Sequence, residues 1–297
     1  MLYPRSKDQT LSRELFQNPT KEYRGAPFWA WNCNLTKDRL QKQIGILKQM
    51  GFGGFHMHSR TGMATEYLSE EFFELIKFCV DEAEKEDMLA WAYDEDRWPS
   101  GSAGGLVTRD IRFRGKRLLL TQDPRDDAGS QTNETGEPWL YAVYDICLNS
   151  DGYLQSARTI GAQDAPEGTK WYAYILTNES TPWYNGQAYV DTLSKAAMDR
   201  FIELTYEGYK KAVGDRFGTT VPAIFTDEPQ VARFDMPWSL TLPEEYKKEY
   251  GEDLISVLPA LYFEYGDYKN TRIKFWRLIT KLFSASFTGQ IYKWCDC

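Results

Sequence analysis

The hydrophobic and polar positions of the chain alternate between short apolar runs and longer stretches with helical spacing. Apolar runs at 25–32, 53–58 and 88–93 have the length of buried strands. The segments between them place apolar residues three or four positions apart, which is typical of amphipathic helices. Strand, helix, strand, helix, strand at this spacing predicts a parallel sheet covered by helices.

The first two helices have recognisable beginnings. Thr36 precedes the first apolar-periodic stretch, and Ser69 precedes the second, so both residues are predicted N-caps. Gly51 is expected to end the first helix. A later helix is expected to begin at Ser194 and to continue to about Val213.

The pattern changes after Gly105. Between 111 and 162, period-two alternation and turn-rich pieces predict antiparallel strands. The α/β pattern then returns, with a strand at 171–176 that could also close the insertion and a short strand at 189–191. The interpretation is an α/β fold: a (β/α)8 TIM-type barrel with an antiparallel β insertion after the third strand.

The expected organisation has three segments. Residues 1–110 form the first part of the barrel, 111–170 form the antiparallel insertion, and 171–297 continue the barrel. About five barrel strands are recognisable, whereas a closed barrel of this type has eight. The barrel is therefore expected to be incomplete at its C-terminus, and the chain to be the front part of a longer protein.

Composition narrows the class of protein. A net charge of −8 argues against nucleic-acid binding. No apolar run approaches the roughly 20 residues that span a bilayer, and no signal peptide is evident. Five cysteines are few and odd in number, which favours reduced thiols and a cytoplasmic location. Ten Trp and nineteen Tyr suit stacking against sugars, although a large aromatic core explains them equally well.

Two acidic clusters follow apolar runs directly. Asp94, Glu95 and Asp96 follow one predicted strand, and Asp227 and Glu228 follow another. Barrel enzymes build their active sites at such strand ends, and two carboxyl groups in one cavity can hydrolyse a glycosidic bond. Because adjacent side chains alternate, one acid of the triplet is expected to face the cavity and another to anchor the loop or bind a cation. The alternative for the triplet is a polar loop with a helix cap, and the alternative for Asp227 and Glu228 is an Asp-Glu-Pro turn.

Other candidate residues lie at the same predicted sheet edge. Pro229 is expected to hold Glu228 in extended geometry. His56 and His58 lie on the same face of the second strand. They could be metal ligands or donors to sugar hydroxyls, and packing alone is the alternative. Arg60 could hold a carboxylate in the same cavity. Trp29, Trp31 and Trp98 also fall there, although core packing is favoured for each aromatic residue taken alone.

These motifs together resemble a known family. Pro27–Asn32, Gly53–Arg60, Tyr67–Glu71, Tyr93–Gly101 and Phe225–Gln230 are similar to the catalytic domain of glycoside hydrolase family 106, the α-L-rhamnosidases and related proteins. Pro182–Gly186 and Tyr189–Leu193 also fit. The resemblance covers the chain from about Asn18 onward, and the catalytic proteins of the family are much longer.

The resemblance implies a mechanism and a set of site residues. Glu95 and Glu228 would be the catalytic pair of an inverting hydrolase, with either acting as the acid. A calcium ion would help to hold the sugar, with Asp94 and Asp96 as candidate ligands. The substrate pocket is expected to be lined by His56, His58, Arg60, Trp98, Asp191, Trp29, Trp31 and Asp227.

The resulting hypothesis is an enzyme, an α-L-rhamnosidase-like glycoside hydrolase acting on a terminal sugar of a carbohydrate substrate. Its first alternative is a non-catalytic carbohydrate-binding or inactive truncated fragment, which would keep the aromatic residues without turnover. Its second alternative is a metal-dependent hydrolase using His56, His58 and Asp227.

Overall fold

The computed structural model describes residues 10, 12–129, 136–231 and 235–296. The polar start at 1–9, part of the predicted insertion at 130–135, and Cys297 therefore lie outside the described residues. The chain divides into two compact units. The first unit comprises Met1–Gly104 and Arg200–Pro229, and the second comprises Gly105–Asp199 and Gln230–Cys297.

Within the described residues, the first unit contains four short strands and several helices. Its strands are β1 (Phe28–Trp31), β2 (Gly54–Ser59), β3 (Leu89–Tyr93) and β8 (Ile224–Phe225). Its helices are α1 (Arg13–Gln17), α2 (Lys37–Gln49), α3 (Glu70–Lys85) and α5 (Tyr206–Val213), with short 3-10 turns at Lys21–Tyr23 and Gly214–Arg216. Helix α4 (Lys195–Leu204) contains the sequence boundary between the units.

The strands of the first unit form a parallel sheet in the order β1-β2-β3-β8. Phe28 is paired with His56, His56 with Trp91, and Tyr93 with Phe225, which fixes the register. One face packs against the helices, where buried strand residues such as Phe55 meet buried helix residues such as Phe72. The parallel sheet and helical cover predicted from the first half of the chain are confirmed.

The predicted helix starts are also confirmed. The Thr36 hydroxyl accepts a hydrogen bond from the Arg39 N–H at 3.4 Å, and the Ser69 hydroxyl accepts one from the Phe72 N–H at 3.1 Å. Gly51, at a φ of +88°, follows the end of α2 and supplies the left-handed backbone found after many helices. The predicted helix from Ser194 to Val213 is instead divided at Thr205 into α4 and α5.

The second unit contains an antiparallel sheet and a group of helices. Its strands are β4 (Lys116–Thr121), β5 (Trp139–Leu148), β6 (Leu154–Ile160), β7 (Thr169–Thr177) and β9 (Met236–Trp238), in the order β6-β5-β7-β4-β9. Its further helices are α6 (Leu242–Tyr250), α7 (Leu254–Val257), α8 (Pro259–Tyr262), α9 (Tyr268–Phe283) and α10 (Gly289–Cys295). A π-helical segment, Ser284–Thr288, joins the last two, and 3-10 turns occur at Ile111–Phe113 and Pro182–Tyr184.

This sheet packs on the helices through one apolar face. Leu118, Tyr144 and Ile175 from the strands share a core with Leu242 and Phe275 from the helices. The Tyr144 hydroxyl donates a hydrogen bond to the Ile255 carbonyl at 2.6 Å, which ties β5 to α7. The second unit therefore has its own hydrophobic core.

The segment boundaries differ from the predicted ones. The strand predicted at 171–176 is β7, and it pairs antiparallel with β4 and β5 rather than joining the parallel sheet. The strand predicted at 189–191 is reduced to an isolated bridge between Val190 and Arg114. The predicted barrel continuation at 171–297 is consequently divided between the two units. Within the described residues, the parallel sheet has four strands, so a closed eight-stranded barrel is not shown.

In the described part of the chain, no helix combines the length and the apolar character needed to cross a membrane. The four described cysteines, Cys33, Cys79, Cys147 and Cys295, are free thiols. Cys79 is fully buried in the apolar face of α3, as its helical position predicts.

Candidate active site

The face of the parallel sheet opposite the helices is lined with rings. Side chains alternate along a strand, so Phe28 on β1, His56 and His58 on β2, Tyr93 on β3 and Phe225 on β8 share this inner face. The Phe28 ring lies 5.0 Å from His56, 4.8 Å from His58 and 5.0 Å from Phe225, measured between ring centroids. Phe28 is 54% exposed, so this inner aromatic face is open at β1.

The two histidines are held as neutral rings on this face. His58 packs 3.9 Å from the Tyr93 ring, and His56 stacks on Trp91 at 5.0 Å. Burial lowers the pKa of His58 to about 4, and the positive charges of Arg60 and protonated His56 act in the same direction. Burial also lowers the pKa of His56, whose Nδ1 lies 3.1 Å from the Ala26 carbonyl oxygen. A neutral imidazole can donate to or accept from a ligand hydroxyl.

Trp29 and Trp31 lie on the other side of β1. Both belong to the core beneath the helices, and the Trp29 indole N–H donates to Oε1 of Gln43 on α2 at 2.7 Å. The role in a sugar pocket predicted for these two residues does not fit this placement, because alternation along β1 sends Phe28 to the inner face in their place. The motifs of the sequence analysis do not predict a site role for Phe28 or Phe225, although the period-two alternation along each strand places both rings on the inner face.

Glu95 is buried and is enclosed by the loop that follows β3. It is 1% exposed, and its two oxygens accept hydrogen bonds from five backbone N–H groups of the loop that follows. The donors are Asp96 at 2.9 Å, Gly101 at 3.0 Å, Ser102 at 2.7 Å, Ala103 at 2.9 Å, and Gly104. Glu95 is therefore the member of the acidic triplet that anchors the loop.

Two opposing effects act on the Glu95 carboxyl. Burial raises its pKa to about 8, whereas the N–H donors of Gly104, Asp96 and Ser102 act to lower it. All five of these contacts are N–H donors, so the hydrogen bonds favour the ionised form and oppose the effect of burial. A carboxylate held in this way has no oxygen left to exchange protons with a substrate, so the predicted catalytic role of Glu95 does not fit its surroundings.

Asp94 is buried in a set of hydroxyl groups. Its oxygens accept hydrogen bonds from Ser100 at 2.6 Å and Tyr206 at 2.7 Å, and also from the Thr226 side chain. Burial raises the pKa of Asp94 to about 6, against the lowering effect of these hydroxyls. Asp94 is thus a structural acceptor that joins β3, β8 and α5.

The acids expected to bind calcium do not suit that ion. Calcium takes six to eight oxygen ligands, whereas the oxygens of Asp94 already accept from hydroxyl groups, and Asp96 lies 3.5 Å from the Arg97 Nε. Across residues 12–129, 136–231 and 235–296, no group of three or more His, Cys, Asp or Glu side chains is placed to hold a metal ion. His56, His58 and Asp227, the residues of the metal-dependent alternative, are among the residues covered by this finding.

Asp227 and Glu228 extend beyond β8 at the edge of the inner aromatic face. The Tyr93 hydroxyl donates to Oδ2 of Asp227 at 3.1 Å, and the Trp98 indole N–H donates to Oε2 of Glu228 at 3.0 Å. Burial raises the pKa of Asp227, the negative charge of Glu228 raises it further, and the Tyr93 hydroxyl and the Arg60 charge oppose the rise. Glu228 is exposed, so its carboxylate is open to a ligand.

The backbone at Glu228 departs from expectation. Its φ is +43°, in the left-handed region, so the extended geometry predicted from Pro229 is wrong. Non-glycine residues in this region cost about 1–3 kcal/mol and cluster at functional sites. Hydrogen bonds on either side stabilise this conformation. The Asp227 N–H donates to the Ser100 hydroxyl, and the Glu228 carboxylate accepts from the Trp98 indole.

Asp191 belongs to the second unit and is committed to contacts there. Its Oδ2 accepts from the Ser239 hydroxyl at 2.7 Å, and its Oδ1 accepts from the Leu193 N–H at 3.0 Å. Burial raises its pKa, while the charge of Lys116 lowers it. These contacts do not support the predicted position of Asp191 in a substrate pocket.

Comparison with known proteins gives a likeness in structure alone. No protein-family model matches the chain, and no curated protein matches its sequence. The structure of a rhamnosidase from Novosphingobium sp. PP1Y aligns with a TM-score of 0.58 and 13% identity, over 94% of this chain and 45% of that one. The chain thus spans less than half the length of that rhamnosidase, with which it shares a fold.

Proposed function

We propose that this protein is a glycoside hydrolase that removes a terminal sugar from a glycan, with α-L-rhamnosides as the first substrates to test. The exposed carboxylate of Glu228, held by Trp98 on a left-handed backbone, is the observation that carries the proposal. The rhamnosidase fold supports the substrate class, as does the resemblance of the strand-end motifs to glycoside hydrolase family 106.

The proposed chemistry uses the two acids at the end of β8. Glu228 takes a proton from water, the water oxygen bonds to the anomeric carbon, and the glycosidic C–O bond breaks. Asp227 gives its proton to the departing oxygen. A raised pKa suits Asp227 to this role, since burial and the charge of Glu228 favour its protonated form. Asp227 thereby replaces Glu95 in the predicted pair.

The inner aromatic face supplies the binding surface in this proposal. The apolar side of a pyranose suits the exposed Phe28 ring, while the neutral imidazoles of His56 and His58 can hydrogen-bond sugar hydroxyls. Arg60 is exposed, and its charge acts on the pKa values of both His58 and Asp227, which supports a role for this charge in the proposed site.

The test is hydrolysis of aryl α-L-rhamnosides and of a panel of other aryl glycosides by the wild-type chain and by Glu228→Gln. The substitution is expected to lower kcat by about 10²–10⁴-fold. Glu244→Gln is the matched control, because Glu244 is an exposed glutamate in the second unit. The configuration of the released sugar, followed by NMR, is expected to be inverted. A Glu228→Gln variant with the wild-type rate would exclude this assignment.

A second candidate function is sugar binding without turnover. The half-exposed Phe28 ring favours it, because a stacking surface requires no catalytic acid. Titration calorimetry with L-rhamnose separates the two functions. Binding that is lost in Phe28→Ala, together with no hydrolysis over days, would support the second candidate.

A further inference from the structure

We infer that Ser100 is the positioning residue that holds the Asp227–Glu228 tip in its reactive geometry, an inference that rests on the proposed function. Ser100 is fully buried. Its N–H donates to the Asp227 carbonyl at 2.9 Å, and its hydroxyl oxygen accepts from the Asp227 N–H at 2.8 Å. A single residue thus satisfies both backbone polar groups of Asp227.

The direction of the Ser100 hydroxyl is set by Asp94. The Ser100 O–H donates to Oδ1 of Asp94 at 2.6 Å, which leaves a lone pair of the oxygen facing the Asp227 N–H. Tyr206 donates to the other Asp94 oxygen at 2.7 Å and fixes the carboxylate from α5. Each hydrogen bond from Tyr206 through Asp94 and Ser100 to Asp227 therefore has a fixed donor and a fixed acceptor.

The same loop also holds the next acid. Trp98, two residues before Ser100, donates its indole N–H to Glu228. The loop binds Asp227 through its backbone and Glu228 through its side chain. These two contacts lie on either side of the Asp227–Glu228 peptide bond, which precedes the left-handed backbone of Glu228. The loop itself is fixed by its five N–H bonds to Glu95, so it can serve as a rigid template for the tip.

Loss of the Ser100 hydroxyl should misplace the acids without removing them. A displacement of about 1 Å in a catalytic group can reduce turnover 10²-fold. Ser100→Ala is expected to lower kcat by roughly tenfold to a hundredfold with little change in KM, and to shift the pH–rate profile. Ser100→Thr, which keeps a hydroxyl, is expected to recover part of the lost rate. Ser286→Ala is the matched control, since it removes a buried hydroxyl that bonds to the Leu193 carbonyl in the second unit.

Two NMR measurements test the inference independently of turnover. In the wild-type protein, the Asp227 amide is expected to exchange with solvent more slowly than an unprotected amide. The Trp98 indole resonance, identified by its absence in Trp98→Phe, is expected to change position in Glu228→Gln, because the indole N–H donates to the Glu228 carboxylate. The same resonance is expected to change position in Ser100→Ala and to stay unchanged in Ser286→Ala. The exchange measurement needs no variant, so it can overturn the inference even where Ser100→Ala does not fold.

The outcomes separate the inference from the proposed function. An active wild-type enzyme whose kcat is unchanged in Ser100→Ala would overturn the positioning role and leave the hydrolase proposal standing. A wild-type protein that hydrolyses no glycoside would end the hydrolase proposal, and the two NMR measurements would still decide whether Ser100 holds the tip. An unprotected Asp227 amide would overturn the inference in either case.

Discussion

The Trp98 indole N–H donates a hydrogen bond to Oε2 of Glu228, which lies 130 positions later in the chain. This contact joins the loop after β3 to the loop after β8, and those strands are neighbours in the parallel sheet. The acidic clusters of the two loops are therefore brought to one sheet edge, but they differ in role. Glu95 faces into its own loop, whereas Asp227 and Glu228 border the inner aromatic face.

Glu95→Gln tests the loop-anchoring role. The amide group of glutamine would direct N–H donors toward backbone N–H donors, so at least one buried donor would lose its acceptor. We expect a loss of about 2–4 kcal/mol in the free energy of unfolding, measured by urea denaturation. Glu228→Gln, at an exposed position, is expected to stay within about 0.5 kcal/mol of wild type. Equal effects of the two substitutions would contradict the anchoring role.

His58 is expected to stay neutral down to about pH 4 because burial lowers its pKa. In the unfolded chain the same group titrates near 6.5. Between these values the unfolded state binds more protons, so the stability that His58 contributes is present above pH 6.5 and is lost as the pH falls toward 4.

The measurement is an NMR titration of the two imidazole rings, since the chain has only two histidines. His58→Gln should flatten the dependence of stability on pH in this range, and His56→Gln should remove only the part that His56 contributes. A His58 midpoint near 6.5 in the folded protein would show that the ring is not enclosed as described.

Gly104→Ala tests how closely the anchored loop is packed. Gly104 has a φ of +61°, and a Cβ there would lie 3.0 Å from Cδ1 of Tyr67 and 3.2 Å from Cβ of Asp96. Gly251→Ala is the matched control, because Gly251 has a φ of +71° with no atom within 4 Å of the added Cβ. We expect the control to lose about 1 kcal/mol from backbone strain alone, and Gly104→Ala to lose at least about 1 kcal/mol more. Thermal denaturation of both variants gives the comparison.

Trp29→Ala and Phe28→Ala separate the two faces of β1. Trp29 packs in the core beneath α2, so its truncation should cost about 3–5 kcal/mol in unfolding free energy. Phe28 is half exposed on the other face, and its truncation should cost far less while weakening sugar binding. Denaturation and calorimetry on both variants check the assignment. Sugar affinity that depends on Trp29 in a folded protein would reverse it.

Local signals in the sequence predict much of the first unit. Thr36 and Ser69 cap their helices as expected, because a hydroxyl before an apolar-periodic stretch satisfies free N–H groups by local geometry alone. The pairing of β3 with β8 is not a local property, since the second unit's first segment lies between them in the chain. The acidic motifs suggest a shared site, and the register brings them together.

The roles within each motif were harder to predict for a physical reason. Strand β1 carries aromatic residues on both faces, so alternation alone does not show which face the helices cover. In the acidic triplet, the anchor is decided by how the loop after Asp96 folds back, with positive φ values at Gly101, Ala103 and Gly104. That conformation turns successive N–H groups toward Glu95. Adjacent acids in a sequence motif give no sign of such a difference.

The enclosure of Glu95 has a consequence for how related sequences should be compared. If the proposed function holds, a related protein that had lost hydrolysis would still require Glu95 to fold this loop, whereas the exposed Glu228 could be replaced without loss of the fold. The presence of Glu95 in a related sequence would then indicate that this loop is folded, and it would not indicate catalytic activity. Under the proposed function, retention of Glu228 would be the better marker of hydrolytic activity in such a sequence.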